Sequence, residues 1–111
     1  MQALMAKYET CDDTLTITLS GEIDHHTAKA ARVEIDRQIY FYKASTVILD
    51  LSEIAFMDSS GLGLILGRYT HIREMGSVLK VLNPTKSVKR LLTLAGTEKI
   101  IPIISTNGKQ D

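Results

Sequence analysis

Thr14-Leu15-Thr16-Ile17-Thr18-Leu19 alternates strictly between β-branched polar and aliphatic side chains. A period of two places Leu15, Ile17 and Leu19 on one face, so the run predicts a strand with one side buried. Cys11-Asp12-Asp13 just before it reads as a turn, which makes Ala3 to Glu9 the edge partner of a hairpin. Ser20-Gly21-Glu22-Ile23 closes the strand, and the period then changes. Ala28, Ala31, Ile35, Ile39 and Tyr42 recur at helical spacing, behind Asp24 as N-cap with Thr27 three residues on. A first helix is predicted from Asp24 to Phe41.

Val47 to Leu51 is almost wholly apolar, as a central strand of a parallel sheet is. A second helix is predicted from Ser60 to Met75, ending at Gly76. At 100° per residue, Leu62, Ile65, Leu66, Tyr69 and Ile72 share the arc that should face the sheet. Gly63 and Gly67 fall on the opposite side, and Leu64 lies off the core arc beside Arg68. Val78 to Leu82 predicts another strand. Asn83-Pro84 predicts a helix start with proline in its first position. Val88, Leu91, Leu92 and Ala95 line that third helix and Gly96 ends it. Ile100 to Ile104, interrupted by Pro102, predicts a short edge strand, and Thr106 to Asp111 a frayed polar tail. Strand–helix alternation after an initial hairpin predicts an α/β fold: a mixed, mostly parallel sheet of four to five strands with three to four packed helices. At 111 residues the chain is one domain's worth, read as a single domain over residues 1–111.

Charge narrows the partners. Thirteen basic and thirteen acidic residues cancel, so no cationic excess points to nucleic acid or an anionic membrane. A lone cysteine, Cys11, offers neither a disulfide framework nor a zinc cluster and fits a reducing compartment. The first residues lack the basic and apolar regions of a signal peptide, and no apolar run reaches bilayer-spanning length. The expectation is a cytoplasmic protein with no membrane or nucleic-acid partner.

Candidate chemistry collects where the second helix begins, at Asp58-Ser59-Ser60-Gly61-Leu62-Gly63. Serines at a helix mouth commonly cap it. If Asp58 takes the cap, Ser59 is released, and the free N–H groups of the first turn together with the helix dipole would tolerate a phosphate there. Glycine inside a helix costs about 0.5–1 kcal/mol relative to alanine, so Gly63 and Gly67 on one outer face suggest close approach by something else. Asp24-His25-His26 could be read as metal ligands, but adjacent histidines point apart and no second ligand cluster follows. A Ser-dependent hydrolase using Ser59 or Ser60 with His25 or His26 is the enzymatic alternative, although the Gly-x-Ser-x-Gly elbow is absent. Gly61-x-Gly63-x-x-x-Gly67 misses the dinucleotide-binding spacing by one residue.

Two segments carry a resemblance. Gly21-Glu22-Ile23-Asp24-His25-His26-Thr27-Ala28 and Phe56 to Tyr69, with Asp58-Ser59-Ser60-Gly61-Leu62-Gly63 at its centre, resemble the sporulation-type anti-sigma factor antagonists of the STAS domain family. The predicted element order is similar to that fold along nearly the whole chain. The resemblance implies a non-enzymatic phosphoswitch. The unphosphorylated form would bind an anti-sigma factor that is also a serine kinase of the GHKL type, releasing the sporulation sigma factor. The kinase would inactivate the chain by phosphorylating Ser59, and a PP2C-type phosphatase would restore it. ATP and Mg²⁺ would belong to the kinase, leaving this chain without a cofactor. The implied partner-binding residues are Glu22, Asp24, His25, Asp58, Ser59, Ser60, Gly61, Leu62, Gly63 and Gly67, with the acidic contacts falling on Glu22 and Asp24.

Overall fold

The structure, a computed structural model, describes residues 3–106; the tail expected beyond Thr106 lies outside the described residues. The elements run β1 (Met5–Cys11), β2 (Thr14–Ile23), α1 (His25–Tyr42), β3 (Thr46–Met57), α2 (Ser59–Glu74), β4 (Val78–Leu82), α3 (Lys86–Leu94), a 3₁₀ turn (Thr97–Lys99) and β5 (Ile103–Ile104). The five strands form one sheet in the order β1-β2-β3-β4-β5. Only β1 and β2 are antiparallel; the other neighbours are parallel. The predicted α/β sheet with three helices is therefore the observed one.

Asp12 and Asp13 both adopt positive φ, 49° and 63°, and Cys11 pairs with Thr14. That is a two-residue hairpin turn of the kind that matches strand twist, at residues that tolerate left-handed backbone. One face of the sheet is dry. Leu15, Ile17 and Leu19 of β2, Val47, Leu49 and Leu51 of β3, and Leu79 and Val81 of β4 are all buried. Ile35 and Ile39 of α1, Ile65 and Ile72 of α2, and Val88 and Leu92 of α3 join the same core.

Several predicted boundaries move, each for a local reason. β2 continues through Gly21 to Ile23, and β3 runs from Thr46 to Met57 rather than stopping at Leu51. Two register shifts put extra residues into β3, so its buried positions go from Leu51 to Ile54 to Met57 and the alternation is lost to simple inspection. Gly21, at φ 110°, permits this path; a Cβ there would also collide with the Ala3 carbonyl. α3 starts at Lys86 with Thr85 at its N-cap, not at Asn83-Pro84. Asn83 is left-handed (φ 49°), and its side chain is engaged by Thr106. Ala95 and Tyr42 are exposed at helix ends instead of lining the core, and β5 contains only Ile103 and Ile104 of the predicted run.

The largest correction concerns α2. Leu64 and Arg68, expected off the core arc, are buried, whereas Leu66 is exposed. Helix α1 packs beside α2, so the covered arc is rotated from the sheet toward that neighbour. Arg68 is tolerated there because Asp36 of α1 brings Oδ1 to 2.7 Å from its Nε. The approach lies off the N–H direction, so this is an ion pair rather than a directed hydrogen bond. Arg68 Nη1 also donates to the Leu64 carbonyl at 3.3 Å.

Removing one member of a buried pair leaves the other charge uncompensated, which costs about 3–5 kcal/mol when both are fully dry. Asp36 retains some solvent, so Asp36→Ala should cost less, about 1–3 kcal/mol, read as a lowered urea midpoint. Arg68→Met in the Asp36→Ala background should recover part of the loss. An additive double variant would show that the pair is not coupled.

Candidate functional site

The site is set by the end of the β2–β3 pairing. Ile23 pairs with Met57, and the Asp58 N–H donates to the Ile23 carbonyl at 3.1 Å. Adjacent strands lie about 4.8 Å apart, so the chain leaves both at one edge with the two helix entrances side by side. Each entrance is capped by an aspartate. Asp24 Oδ1 accepts the Thr27 N–H at 2.9 Å, while the Thr27 hydroxyl oxygen accepts the Asp24 N–H at 2.9 Å, a reciprocal capping box. The Thr27 hydroxyl in turn donates to the Glu22 carbonyl at 2.9 Å, locking the strand end to the first turn of α1. The Thr27 N–H is the main reason that the Asp24 carboxyl is held below its usual range.

At the second entrance Asp58 Oδ1 accepts the Ser60 N–H at 2.8 Å, and the Asp58 carbonyl accepts the Gly61 N–H at 2.9 Å. Asp58 therefore takes the cap, and α2 begins one residue earlier than expected, at Ser59. Ser59 is exposed, whereas Ser60 is half-buried. Gly61 is buried, and a Cβ there would run into the Met57 side chain and press on Ile23. This glycine fits α2 closely against the two strand ends. Leu62 is half-buried against the core. Gly63 is exposed and Gly67 partly so, and a Cβ at either would meet nothing within 4 Å. Neither is required by the packing of this chain.

His25 and His26 diverge, as their adjacency predicted. His25 lines an open groove between α1 and α2 together with Ser60 and Gly63, whereas His26 lines a separate cavity beside Tyr8. No cluster of three or more His, Cys, Asp or Glu side chains suited to a metal occurs among the described residues. Phe56, not singled out from the sequence, pairs in register with Glu22 and is exposed. Its position beside Glu22 was hidden by the bulges that lengthen β3. No helix of the described residues is long and apolar enough to cross a membrane.

With this geometry in place, likeness to known proteins becomes specific. A model of the STAS domain matches residues 5–109. An anti-sigma F factor antagonist of Paenibacillus polymyxa is 44% identical over 89 residues, covering 80% of this chain and 76% of that protein. An anti-sigma-B factor antagonist of Listeria monocytogenes is 31% identical over 100 residues, covering 89% of this chain and 86% of that protein. Among solved structures, unphosphorylated SpoIIAA, an anti-sigma factor antagonist, superposes with a TM-score of 0.78 at 28% identity, covering 94% of this chain and 90% of that one. The phosphorylated form of Bacillus SpoIIAA gives 0.72 at 28% identity, covering 94% and 93%. The chain belongs to the STAS domain family, among the anti-sigma factor antagonists. These are non-enzymatic regulators, so the hydrolase alternative is set aside.

The depressed Asp24 pKa has a signed consequence. Its cap contributes stability in full above the unfolded-state pKa of about 3.9, and that contribution is lost as pH falls through the lower folded-state value. Asn caps about as well and does not titrate in this range. Between pH 5 and pH 2 the melting temperature of the wild type should therefore fall further than that of Asp24→Asn. Parallel curves would mean that the Asp24 pKa is not depressed in the folded state.

Proposed function

We propose that this chain is a phosphorylation-switched anti-sigma factor antagonist, acting as one STAS module in the cytoplasm. Its unphosphorylated form binds an anti-sigma factor that is also a GHKL-type serine kinase, and the binding frees the sporulation sigma factor. Phosphorylation of Ser59 ends the interaction, and a PP2C-type phosphatase reverses it. The observation that carries this reading is the division of labour at the α2 entrance: Asp58 satisfies the cap, and Ser59 stands exposed in the first helical position. The likeness to a structure solved in both unphosphorylated and phosphorylated forms supports the same reading. The identity to the sigma F antagonist, higher than to the sigma-B antagonist, favours sporulation over a stress response.

The chemistry of the switch comes from the position. A phosphoserine adds about −1.5 to −2 charges at pH 7. At the first position of a helix that charge meets the positive end of the dipole, so the fold accepts it. A partner seated on the same edge does not. The edge already carries Glu22, Asp24 and Asp58, and new charge and bulk there alter both the fit and the field. About 1.4 kcal/mol suffices for a tenfold change in affinity, less than the several kcal/mol that a misplaced, desolvated charge costs. Glu22 and Asp24 supply acidic contacts to a basic group of the kinase, while Ser60, Gly61, Leu62 and Gly63 shape the surface around Ser59.

Ser59→Ala should take up no phosphate from the cognate kinase with ATP and Mg²⁺, read by intact mass, yet should fold and bind. Undiminished phosphorylation, mapped to Ser60 or elsewhere, would rule the assignment out. Glu22→Gln/Asp24→Asn should bind the kinase more weakly and with a flatter salt dependence than the wild type, at nearly unchanged melting temperature at pH 7. Equal affinities and equal salt slopes would reduce both carboxylates to capping and solvation roles.

A further inference from the structure

The groove between α1 and α2 has an electrostatic character opposite to the acids beside it. Its volume is about 440 Å³, and its cationic lining consists of Lys29, Arg32 and Arg68, with His25 beside them. Ala28 and Leu64 supply an aliphatic floor, and no carboxylate lines it. Arg68 is 4% exposed and faces one carboxylate, Asp36, while the nearby Arg32 repels it. Burial works against its charge, Asp36 supports it, and Arg32 works against it again. Lys29 and Arg32 make no hydrogen bond or salt bridge among the described residues. Arg68 thus has one compensating acid, and among the described residues Arg32 and Lys29 beside it have none. Gly63 and Ser60 form the rim, one residue from Ser59, so the groove is continuous with the surface that Ser59 occupies.

We propose that this groove receives a carboxylate-bearing, partly apolar segment of the anti-sigma factor, with Lys29 and Arg32 pairing its acids and Ala28 and Leu64 its aliphatic groups. The proposal rests on the reading of the chain as an anti-sigma factor antagonist and adds the second half of its recognition surface. The mixed lining favours a protein segment over a small anion. Phosphate or a nucleotide tail has no use for an aliphatic floor, and the groove is open along its length. Glu22 and Asp24 on one side and Lys29 and Arg32 on the other form a bipolar surface. A partner must then present a basic and an acidic group in one order, which fixes its orientation as well as its affinity. The open space at Gly63 keeps the groove passable, since a side chain there would project into it. The same arrangement deepens the switch. A phosphate on Ser59 adds anionic charge at the rim, weakening the groove's cationic field and repelling the incoming carboxylates.

The test is the affinity of the unphosphorylated chain for its anti-sigma factor over a range of salt. Lys29→Glu/Arg32→Glu changes two exposed side chains and should weaken binding at least tenfold, with a flatter salt slope than the wild type. Gly63→Leu should weaken binding comparably while keeping the wild-type salt slope, because it blocks the groove without changing charge. Circular dichroism melts confirm that both variants are folded. If both bind like the wild type, the groove is not an interface, although the antagonist reading survives. If the wild type itself fails to bind, the antagonist reading falls first. A third arm titrates inorganic phosphate and records amide shifts by NMR. Phosphate-induced shifts around Lys29 and Arg32 with an unchanged partner affinity in the charge-reversed variant would make the groove a small-anion site and overturn the proposal.

Discussion

The hydrogen bond from the Asp58 N–H to the Ile23 carbonyl is the constraint on which the site depends. It is the last rung of a parallel pairing that begins at Thr14 and Thr46 and survives two bulges on the way. Parallel strands end at the same edge of a sheet, so the segments leaving β2 and β3 must emerge together. Each strand is succeeded by an aspartate and then a helix. Two positive helix ends therefore lie side by side, each satisfied by its own carboxylate. Gly61 allows the second helix to sit against Met57 and Ile23 without a gap, which makes the position of Ser59 a property of the core rather than of a free loop. A residue that is exposed and yet held by the core could carry a modification without refolding of the chain.

Much of this was legible because it is local. The threonine–aliphatic alternation, the Asp24–Thr27 cap and the Val78 to Leu82 strand depend on neighbours in sequence, and the structure reproduces them closely. Asp58 as cap, with Ser59 released, was one of two open readings, and the hydrogen bond to the Ser60 N–H decides between them. The features that sequence periodicity missed depend on distant partners. The extra residues in β3 break a period-two pattern, which hides the strand beyond Leu51 and with it the pairing of Phe56 with Glu22. The burial of Leu64 and Arg68 depends on α1 lying alongside α2, and a helical wheel cannot know from which side a second helix arrives. Asn83-Pro84 carries the local signature of a helix start, yet the Asn83 side chain is engaged by Thr106, more than twenty residues away.

The balanced composition concealed a local separation of charge. Thirteen positive and thirteen negative residues exclude a broad cationic face, but they say nothing about where each sign collects. Around the α1 and α2 entrances the signs divide: Glu22, Asp24 and Asp58 at the strand ends, and Lys29, Arg32 and Arg68 one to three turns along the helices. This geometry is a consequence of capping. Helix N-termini select aspartate and leave the later turns free for cations, so any pair of side-by-side helix entrances can place acids at the edge and bases in the groove behind them.

Arg68 explains why the division is stable. An arginine at 4% exposure would be costly alone, and Asp36 makes it tolerable without neutralising the groove, because Arg32 adds a second positive group. Apolar residues at both 68 and 36 would hold α1 on α2 comparably, since buried ion pairs are often no more stable than apolar residues of similar volume. Stability alone therefore gives no reason for an arginine there. Recognition gives one. The buried guanidinium is fixed by Asp36 and by the Leu64 carbonyl, so it projects positive potential into the groove from a rigid position. Exposed Lys29 and Arg32 provide reach, and Arg68 provides a field that neither side-chain motion nor moderate salt screens out as readily. Under the proposed switch, a phosphate on Ser59 would add its charge at the rim of that field.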